Sequence, residues 1–304
     1  MRYGIDLGGT KIELLALAPD GQAAWRQRVA APRGDYGRTL EALAGLVEAA
    51  DSALGLRGSV GVGIPGATSR ATGLVKNANS TWLIGHPLDQ DLARRLGRPV
   101  RLQNDANCFA LSEASDGAAA GQGVVFGVIL GTGAGGGIVV DGRVLNGRNV
   151  IAGEWGHNPL PWPRDEERPG PACYCGQHGC IETFVSGSGL ARDHRAVTGQ
   201  RLEGSAIVAA AAAGDPAAEA SLQRLEERLA RSLASVINIL DPDVIVLGGG
   251  LSKLERLYRN LPPRLPRWVF SDVCETPILP PKHGDASGVR GAAWLWQPGE
   301  WPGP

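Results

Sequence analysis

Three glycine-rich segments, each directly after a short apolar run, constrain the fold of this chain more than any other feature. They are Asp6-Leu-Gly-Gly-Thr-Lys11, Leu130-Gly-Thr-Gly-Ala-Gly-Gly-Gly137 and Leu247-Gly-Gly-Gly-Leu-Ser252. Glycine lets backbone N–H groups converge on an anion, because no Cβ stands in the way. Each segment alone is equally compatible with a tight turn that binds nothing. Three of them together favour a polyphosphate ligand.

Two glycine patterns match the spacing G-x-G-x-x-G, at Gly131/Gly133/Gly136 and at Gly61/Gly63/Gly66. A dinucleotide-binding fingerprint needs a helix directly after the glycines and an acidic residue about 20 positions further on. The first pattern continues into another apolar run and the second into a polar loop. Neither therefore predicts a dinucleotide site, and the sequence contains no G-x-x-x-x-G-K-[ST] phosphate loop.

Apolar periodicity predicts the element order βββαβαβα for the first part of the chain. A second block then repeats the opening pattern of strand, glycine loop and strand, which indicates two α/β halves. The predicted strands are Tyr3–Asp6, Lys11–Ala18, Ala24–Val29, Val60–Ile64, Val100–Leu102, Val124–Leu130, Gly137–Val140, Arg143–Leu145 and Val244–Leu247. The predicted helices are Asp35–Leu54, Leu88–Leu96, Asp105–Asp116, Ser205–Ala213, Ala217–Leu240 and Gly284–Trp296, with further helices that begin near Glu182 and Ser252.

Charge and composition exclude several classes of partner. The 30 basic and 31 acidic side chains give a net charge of −1, whereas nucleic-acid and membrane-surface binding favour a basic excess. No apolar run is long enough for a membrane-spanning helix, and the first residues resemble a strand rather than a signal peptide. We therefore expect a cytoplasmic protein that binds neither nucleic acid nor membrane.

These segments, together with a cysteine cluster, resemble the ROK family of sugar kinases and repressors over nearly the whole chain. The quoted matches are Asp6-Leu-Gly-Gly-Thr-Lys-Ile-Glu13, Leu130-Gly-Thr-Gly133, Gly153-Glu-Trp-Gly-His157, Cys173-x-Cys-Gly-x-x-Gly-Cys-Ile-Glu182 and Val246-Leu-Gly-Gly-Gly250. The resemblance implies an α/β, actin-like (ribonuclease-H-type) ATPase fold, with two α/β domains around a central cleft. It implies a smaller domain of residues 1–117 plus about 286–304, and a larger domain of residues 118–285 that carries a zinc-binding loop.

Family resemblance also implies an activity. Repressors of the family carry an N-terminal helix-turn-helix, whereas the first glycine segment here begins at Asp6, so we expect a kinase. Lys76-Asn-Ala-Asn-Ser-Thr-Trp82 and Glu154-Trp-Gly-His-Asn-Pro-Leu-Pro-Trp162 resemble the bacterial fructokinase (mannokinase) branch. The expected reaction is transfer of the γ-phosphoryl group of ATP to the 6-hydroxyl of fructose, or of mannose or glucose. We expect the bulk of Trp82 to leave little room for an acetamido group.

Two alternatives stay open. N-acetylglucosamine kinases share much of the chain, including Asn104-Asp-Ala-Asn-Cys-Phe-Ala-Leu-Ser-Glu113. A non-catalytic sugar-sensing regulator is the alternative from a different class. The resemblance further suggests a homodimer.

Roles in phosphoryl transfer follow from the resemblance. Asp105 is the expected general base, although Asp between a strand and a helix is also typical of an N-cap. Asp6 should lie near Mg²⁺. Lys11 either contacts phosphate or is a solvated strand residue. The residues expected to bind ATP and its phosphates are Asp6, Gly8, Gly9, Thr10, Lys11, Gly131, Thr132, Gly133, Gly248, Gly249 and Gly250.

Sugar and zinc ligands are likewise implied by the resemblance. Three cysteines within eight residues suggest a metal in a reducing compartment, and with His157 they form a closed structural Zn²⁺ set; free buried thiols are the alternative. His157 is expected to bind zinc through one ring nitrogen and to face the sugar with the other. For Glu182 the alternative is stabilisation of a helix N-terminus. The expected sugar ligands are Gly66, Asn79, Asn104, Asp105, Glu154, His157 and Glu182, and the zinc ligands are His157, Cys173, Cys175 and Cys180.

Overall fold

The structure, a computed structural model, describes residues 1–301. The chain divides into two compact units. Unit 1 consists of residues 1–121, 137–152 and the chain from 282 onward, and unit 2 consists of residues 122–136 and 153–281. The sequence placed residues 137–152 in the larger domain, whereas here they belong to unit 1. Hydrogen bonds hold them there, because Gln103 Nε2 donates to Asn146 Oδ1 and Arg70 Nη1 donates to the carbonyl of Arg148.

The first ten elements belong to unit 1 and follow the predicted order βββαβαβα, with one addition. A short hairpin, β5–β6, lies between the fourth predicted strand and the second predicted helix, and its two-residue strands are too short for periodicity to predict. The elements are β1 (Arg2–Leu7), β2 (Lys11–Leu17), β3 (Ala23–Ala30), α1 (Tyr36–Leu54), β4 (Ser59–Ile64), β5 (Ala67–Thr68), β6 (Val75–Lys76), α2 (Leu88–Leu96), β7 (Val100–Asn104) and α3 (Asp105–Ser115).

The rest of the chain alternates between short strands and helices. The strand predicted at Gly137 begins earlier, at Ala134, so the preceding glycine turn is shorter than expected. The helix predicted near Glu182 is two helices, and the one predicted from Ser252 is a 3₁₀ turn followed by a short helix. The elements are β8 (Val124–Leu130), β9 (Ala134–Val140), β10 (Arg143–Val144), α4 (Ile181–Phe184), α5 (Gly187–Thr198), α6 (Gly204–Ala212), α7 (Pro216–Leu240), β11 (Val244–Gly248), α8 (Glu255–Asn260), β12 (Ile278–Leu279) and α9 (Ser287–Trp294).

The structure contains two five-stranded sheets, and in each of them three neighbouring strands are parallel. The first has the order β3-β2-β1-β4-β7, in which β1, β4 and β7 are parallel and β2 and β3 are antiparallel additions. The second has the order β10-β9-β8-β11-β12, with β8, β11 and β12 parallel. Parallel strands end at a common edge, where ligands bind in open α/β sheets. The ends of β1, β4 and β7 therefore position the loops of unit 1 that the sequence assigned to a ligand.

Close packing of α9 on the first sheet explains one of the two glycine patterns. A Cβ on Gly61 of β4 would lie 1.9 Å from the carbonyl oxygen of Ala292 in α9, so only glycine fits there. The pattern Gly61/Gly63/Gly66 thus includes a helix–sheet contact, in agreement with its rejection as a dinucleotide fingerprint. Among the described residues, no helix combines the length and apolar character needed to span a bilayer.

Candidate active site and metal centre

A pocket of about 340 Å³ in unit 1 opens where β1, β4 and β7 end. It brings together five of the predicted site residues: Asp6, Gly8, Gly9, Asn79 and Asp105. Thr10, Lys11, Gly66 and Asn104 do not line it. The complete lining is Asp6, Leu7, Gly8, Gly9, Arg33, Pro65, Asn79, Ser80, Trp82 and Asp105.

The glycine turn between β1 and β2 forms one wall of this pocket. Its backbone is fixed by a hydrogen bond from Gly8 N to the carbonyl of Lys11, 3.0 Å long, and by one from Ala31 N to the carbonyl of Thr10, also 3.0 Å. The Lys11 side chain is exposed at the start of β2. Lys11 does not line the pocket, and its contact with phosphate stays a prediction.

Asp6 is the residue before the end of β1 and lies beside a second carboxylate. Burial and the charge of Glu13 raise the pKa of Asp6, while Lys11 and Arg28 act in the opposite direction. Glu13 lies opposite Asp6 on β2 and is itself held by hydrogen bonds from Arg26 and Arg28. A cation close to Asp6 would keep its carboxylate charged, which suits the predicted position near Mg²⁺.

Asn104 and Asp105 lie at the junction of β7 and α3. Asn104 is the N-cap of α3, since its Oδ1 accepts from Ala106 N at 2.9 Å and from Asn107 N at 3.4 Å. Its Nδ2 donates to the carbonyl of Gly66 at 3.1 Å, which joins β7 to the loop after β4. Asp105 is the first residue of the helix, and its Oδ1 accepts from Ala106 N at 2.8 Å. The cap is thus Asn104, and the exposed Asp105 carboxylate lines the pocket.

Gln103 is a residue of this network that the sequence reasoning missed. Its Oε1 accepts from Asn104 N at 2.8 Å and from Asn107 Nδ2 at 3.0 Å, while its Nε2 donates to Asn146 Oδ1 at 2.7 Å. It connects the start of α3 to the loop after β10. The available signal was a polar side chain at the end of a parallel strand, directly before Asn-Asp.

Trp82 lines the pocket but is anchored away from it. The indole Nε1 donates to Thr39 Oγ1 of α1 at 3.1 Å, and the half-buried ring packs against the core of unit 1. The indole is therefore held by α1 as part of the wall.

In unit 2, Glu182 braces the second glycine turn. Its Oε2 accepts from Ala134 N at 2.9 Å, and a Cβ on Gly133 would lie 2.3 Å from the same oxygen. The turn is also tied by Gly187 N to the carbonyl of Gly131 at 2.8 Å and by Ser188 Oγ to the carbonyl of Thr132 at 2.7 Å. Glu182 lies in the first turn of α4, as the helix-terminus alternative expected, and its role toward sugar stays a prediction.

The third glycine segment ends β11. Gly249 has φ of +80°, and a Cβ there would lie 2.6 Å from the carbonyl oxygen of Leu130. Ser252 N and Oγ both donate to the carbonyl of Gly249, at 3.2 and 2.7 Å, so the segment is a fixed turn beside β8. The structure thus supplies a packing reason for Gly249, while nucleotide binding by residues 248–250 stays a prediction.

The other two predicted sugar ligands of unit 2 are Glu154 and His157. They lie at the two ends of a 3₁₀ turn, Trp155–His157. Glu154 precedes this turn and is exposed, and its carbonyl accepts from His157 N at 3.3 Å. The turn is anchored by Trp155, whose indole Nε1 donates to the carbonyl of Gly135 at 2.9 Å. His157 points its Nε2 at the hydroxyl of Tyr174, 2.9 Å away, rather than leaving it unpaired. Tyr174 is therefore a partner of His157 that the sequence did not predict.

The four predicted zinc ligands converge in unit 2. Ligand atoms of His157, Cys173, Cys175 and Cys180 all lie within 4.8 Å of one another. His157 Nδ1 is 3.6 Å from Cys173 Sγ, and Cys175 Sγ is 3.6 Å from Cys180 Sγ. Neighbouring ligand atoms of a tetrahedral zinc with bonds of about 2.0–2.3 Å lie roughly 3.3–3.8 Å apart. The cluster therefore fits a structural zinc ion with three sulfur ligands and one nitrogen ligand.

A buried ion-pair network fastens the loop that carries the cysteines to α7. Glu167 accepts from Arg228 Nε at 2.8 Å and from Arg231 Nη2 at 2.8 Å, and Arg231 Nη1 also donates to the carbonyl of Trp162 at 2.6 Å. Burial would raise the pKa of Glu167, but the hydrogen bonds from the two arginines lower it to about 2. Buried ion pairs thus hold this loop against α7.

Known proteins resemble this chain over nearly its whole length. A profile of the ROK family matches residues 2–298. The chain belongs to the ROK family. It is 44% identical over 299 residues to an N-acetyl-D-glucosamine kinase of Yersinia pseudotuberculosis, covering 97% of this chain and 98% of that protein. Two ROK structures share the actin-like ATPase fold. A hexokinase from Thermus thermophilus has a TM-score of 0.86 and 33% identity, covering 96% of each chain. A glucokinase from Streptomyces griseus, solved with glucose and AMPPNP, has a TM-score of 0.77 and 29% identity over 98% of this chain and 99% of its own.

The expected preference for fructose is wrong on this comparison, because ROK relatives at 43–44% identity over nearly the full chain are named N-acetyl-D-glucosamine kinases. The expectation depended on the resemblance of two segments, 76–82 and 154–162, to the fructokinase branch, and on the bulk of Trp82. The indole of Trp82 lines the pocket and is held by its hydrogen bond to Thr39.

Proposed function

We propose that this chain is an ATP-dependent N-acetylglucosamine kinase. The observation that carries the proposal is the 44% identity, across 97% of the chain, to a relative that bears this name. The unit 1 pocket supports it, because a turn of glycines, two carboxylates and an amide side chain face one space there. Those are groups that a phosphoryl acceptor and its donor require.

In the proposed reaction, the oxygen of the sugar's 6-hydroxyl forms a bond to the γ-phosphorus of ATP. The bond between that phosphorus and the β–γ bridging oxygen breaks, and ADP leaves with the electron pair. Asp105 accepts the proton of the hydroxyl. Because Asp105 begins α3 and the neighbouring Asn104 supplies the cap, its carboxylate can turn to the substrate without loss of the helix N-terminus.

Phosphate binding is proposed for the backbone of Gly8, Gly9 and Thr10 in unit 1 and of residues 131–133 in unit 2, and residues 248–250 would flank the adenosine of ATP. Asp6 would hold Mg²⁺, which, when bound, neutralises the charge that develops on the phosphate oxygens. The raised pKa of Asp6 fits a carboxyl group that depends on a nearby cation for its charge.

Sugar recognition is proposed for Asn79, Asn104 and Asp105 of unit 1, with the backbone of Gly66, and for Glu154, His157 and Glu182 of unit 2. His157 would serve the sugar mainly by position, since its Nδ1 lies against Cys173 and its Nε2 against Tyr174. The zinc ion would keep the segment from Glu154 to Glu182 in place.

Light scattering on the purified chain tests the homodimer, which stays a prediction.

A coupled assay of ADP release tests the proposed function. It compares N-acetylglucosamine, fructose, mannose and glucose at equal concentrations. We expect kcat/KM for N-acetylglucosamine to exceed that for each other sugar by at least about tenfold, equivalent to roughly 1.4 kcal/mol of discrimination. A higher kcat/KM for any of the other three sugars contradicts the proposed substrate, and no turnover with any of them contradicts the kinase.

A further inference from the structure

Arg33 is the one basic residue among the ten that line the unit 1 pocket, which also holds the carboxylates of Asp6 and Asp105. The sequence left two possibilities for Lys11, a phosphate contact or a solvated strand residue, and its side chain is exposed outside this lining. We propose that Arg33 is a catalytic residue that contacts the phosphoryl group during its transfer. This inference rests on the proposed kinase function.

The position of Arg33 is fixed relative to the glycine turn. Its Nε donates to the carbonyl of Gly9 at 2.8 Å, so the guanidinium lies against the turn that is proposed to bind phosphate. The segment before it is held at two points, by Ala31 N on the carbonyl of Thr10 and by Thr39 Oγ1 on the carbonyl of Pro32. A guanidinium is a planar group with five N–H donors, and use of Nε leaves the two terminal nitrogens to face an anion.

Charge balance supports the same role. The transferred phosphoryl group spreads negative charge over three oxygens, and it would enter a pocket that already contains two carboxylates. Mg²⁺ offsets part of that charge. A guanidinium in contact with the equatorial oxygens supplies directed hydrogen bonds as well as positive charge, and such contacts are strongest when the charge is most developed.

Contact with a phosphoryl group would also offset the rotamer entropy that Arg33 loses when its side chain is held by Gly9. Arg33 is exposed, and a long exposed side chain loses rotamer entropy when it is held by one hydrogen bond. Binding of an anion at the terminal nitrogens would offset that loss.

The test compares Arg33→Ala, Arg33→Lys and the control Arg38→Ala, which replaces another exposed arginine of the same region that does not line the pocket. We expect Arg33→Ala to lower kcat for N-acetylglucosamine by at least about 10²-fold, with KM for the sugar changed by less than about threefold. Arg33→Lys keeps the charge and should retain part of the rate. Millimolar guanidinium should restore part of the activity of Arg33→Ala, and Arg38→Ala should behave as the unaltered chain does.

Each result decides between the roles. A kcat of Arg33→Ala within about threefold of the unaltered chain overturns the proposal. So does a loss that guanidinium does not restore and that comes with a lower melting temperature, since that pattern belongs to a turn-holding residue. If the unaltered chain phosphorylates another hexose instead of N-acetylglucosamine, the proposed substrate fails and the same comparison on that hexose still decides the role of Arg33. If it phosphorylates none, both proposals fail.

Discussion

Asn104 and Asp105 are neighbours in the chain that divide two tasks often given to one side chain. Asn104 satisfies the N–H groups at the start of α3 and, through Nδ2, the carbonyl of Gly66. Asp105 lines the pocket, and its Oδ1 also accepts from Ala106 N. Gln103 adds a third polar side chain, which fixes the backbone of Asn104. Of these three consecutive residues, Gln103 and Asn104 hold the backbone at the start of α3, and Asp105 lines the pocket.

Substitution of Asp105 by Asn separates those tasks. Because the cap is Asn104, Asp105→Asn should fold normally and keep its affinity for sugar, but kcat should fall by at least about 10²-fold without a proton acceptor. Steady-state kinetics and thermal unfolding measure the two effects. Asp272→Asn, at an exposed loop position in unit 2, is the control. Turnover of Asp105→Asn close to that of the control would remove Asp105 from the role of base.

Glu167 should make the chain sensitive to acid. Its folded pKa of about 2 lies below the usual value of 4.5, so the stability it contributes is complete above the usual value and is lost as the pH falls toward 2. Glu167→Gln removes this contribution, and it also leaves Arg231 without the Glu167 carboxylate, while Arg228 keeps its ion pair with Asp193. We expect a lower melting temperature at neutral pH and a shallower fall between about pH 5 and 3. Equal pH profiles for the two proteins would contradict the assignment.

At the scale of elements, the loop that carries the cysteines depends on a metal-ligand set and an ion-pair network in place of regular secondary structure. Elemental analysis should find about one zinc per chain. Cys175→Ser should lose that zinc and lower the melting temperature by roughly 5 °C or more, because metal binding contributes folding free energy. Cys274→Ser is a matched control, since Cys274 lies outside the cluster. Full metal content in Cys175→Ser would show that the four residues do not form one site.

The second glycine turn offers a test with two neighbouring glycines. A Cβ on Gly133 would collide with Glu182, whereas a Cβ on Gly131 would meet no atom within 4 Å. Gly133→Ala should therefore cost about 1–3 kcal/mol of stability, as overpacking does, while Gly131→Ala should cost much less. Chemical denaturation of both variants measures the difference. Equal stability would mean that Glu182 moves aside without penalty.

Elements with a clear period were predictable, and irregular segments were not. The order βββαβαβα followed from apolar runs because β1, β4 and α1 bury one continuous core. The four metal ligands followed from the family resemblance and the cysteine spacing. Arg33 left no such signal, because it owes its place to a hydrogen bond with Gly9, which is distant in sequence. Gln103 left only its position at the end of a parallel strand, and no local pattern revealed its bond to Asn146. The choice of sugar was mispredicted because it rested on two short segments that resemble the fructokinase branch and on the bulk of Trp82, whereas relatives similar over nearly the full chain are named N-acetyl-D-glucosamine kinases.

At the scale of the whole molecule, unit 1 combines the first residues of the chain with residues from 282 onward. Glu113 of α3 is fully buried and accepts from Lys282 N at 3.0 Å and from Ser287 Oγ at 2.7 Å. Farther along, the Trp296 indole donates to the carbonyl of Val60 at 2.7 Å. Unit 1 therefore needs residues from both ends of the sequence for its core.

Truncation tests this dependence. A chain that ends at Pro281 loses α9 and leaves the buried Glu113 carboxylate without these donors, so unit 1 should not reach its folded state. A chain that ends at Trp301 keeps every described residue and is the control. Limited proteolysis should digest residues 1–121 of the shorter chain rapidly and leave the control intact. Protection of that segment in both chains would contradict the prediction.

The layout of the unit 1 pocket also bears on how selectivity can change over evolutionary time. The glycine turn and Asp105 follow strands of a sheet whose register is set by long-range pairing, so mutations there disturb the whole unit. Asn79, Ser80 and Trp82 lie instead on an irregular connection between β6 and α2. Such a connection tolerates exchange of side chains, and even insertions, at little cost to the sheet. A lineage could therefore acquire a new acceptor by altering this connection alone, while the reaction machinery passed unchanged from ancestor to descendant.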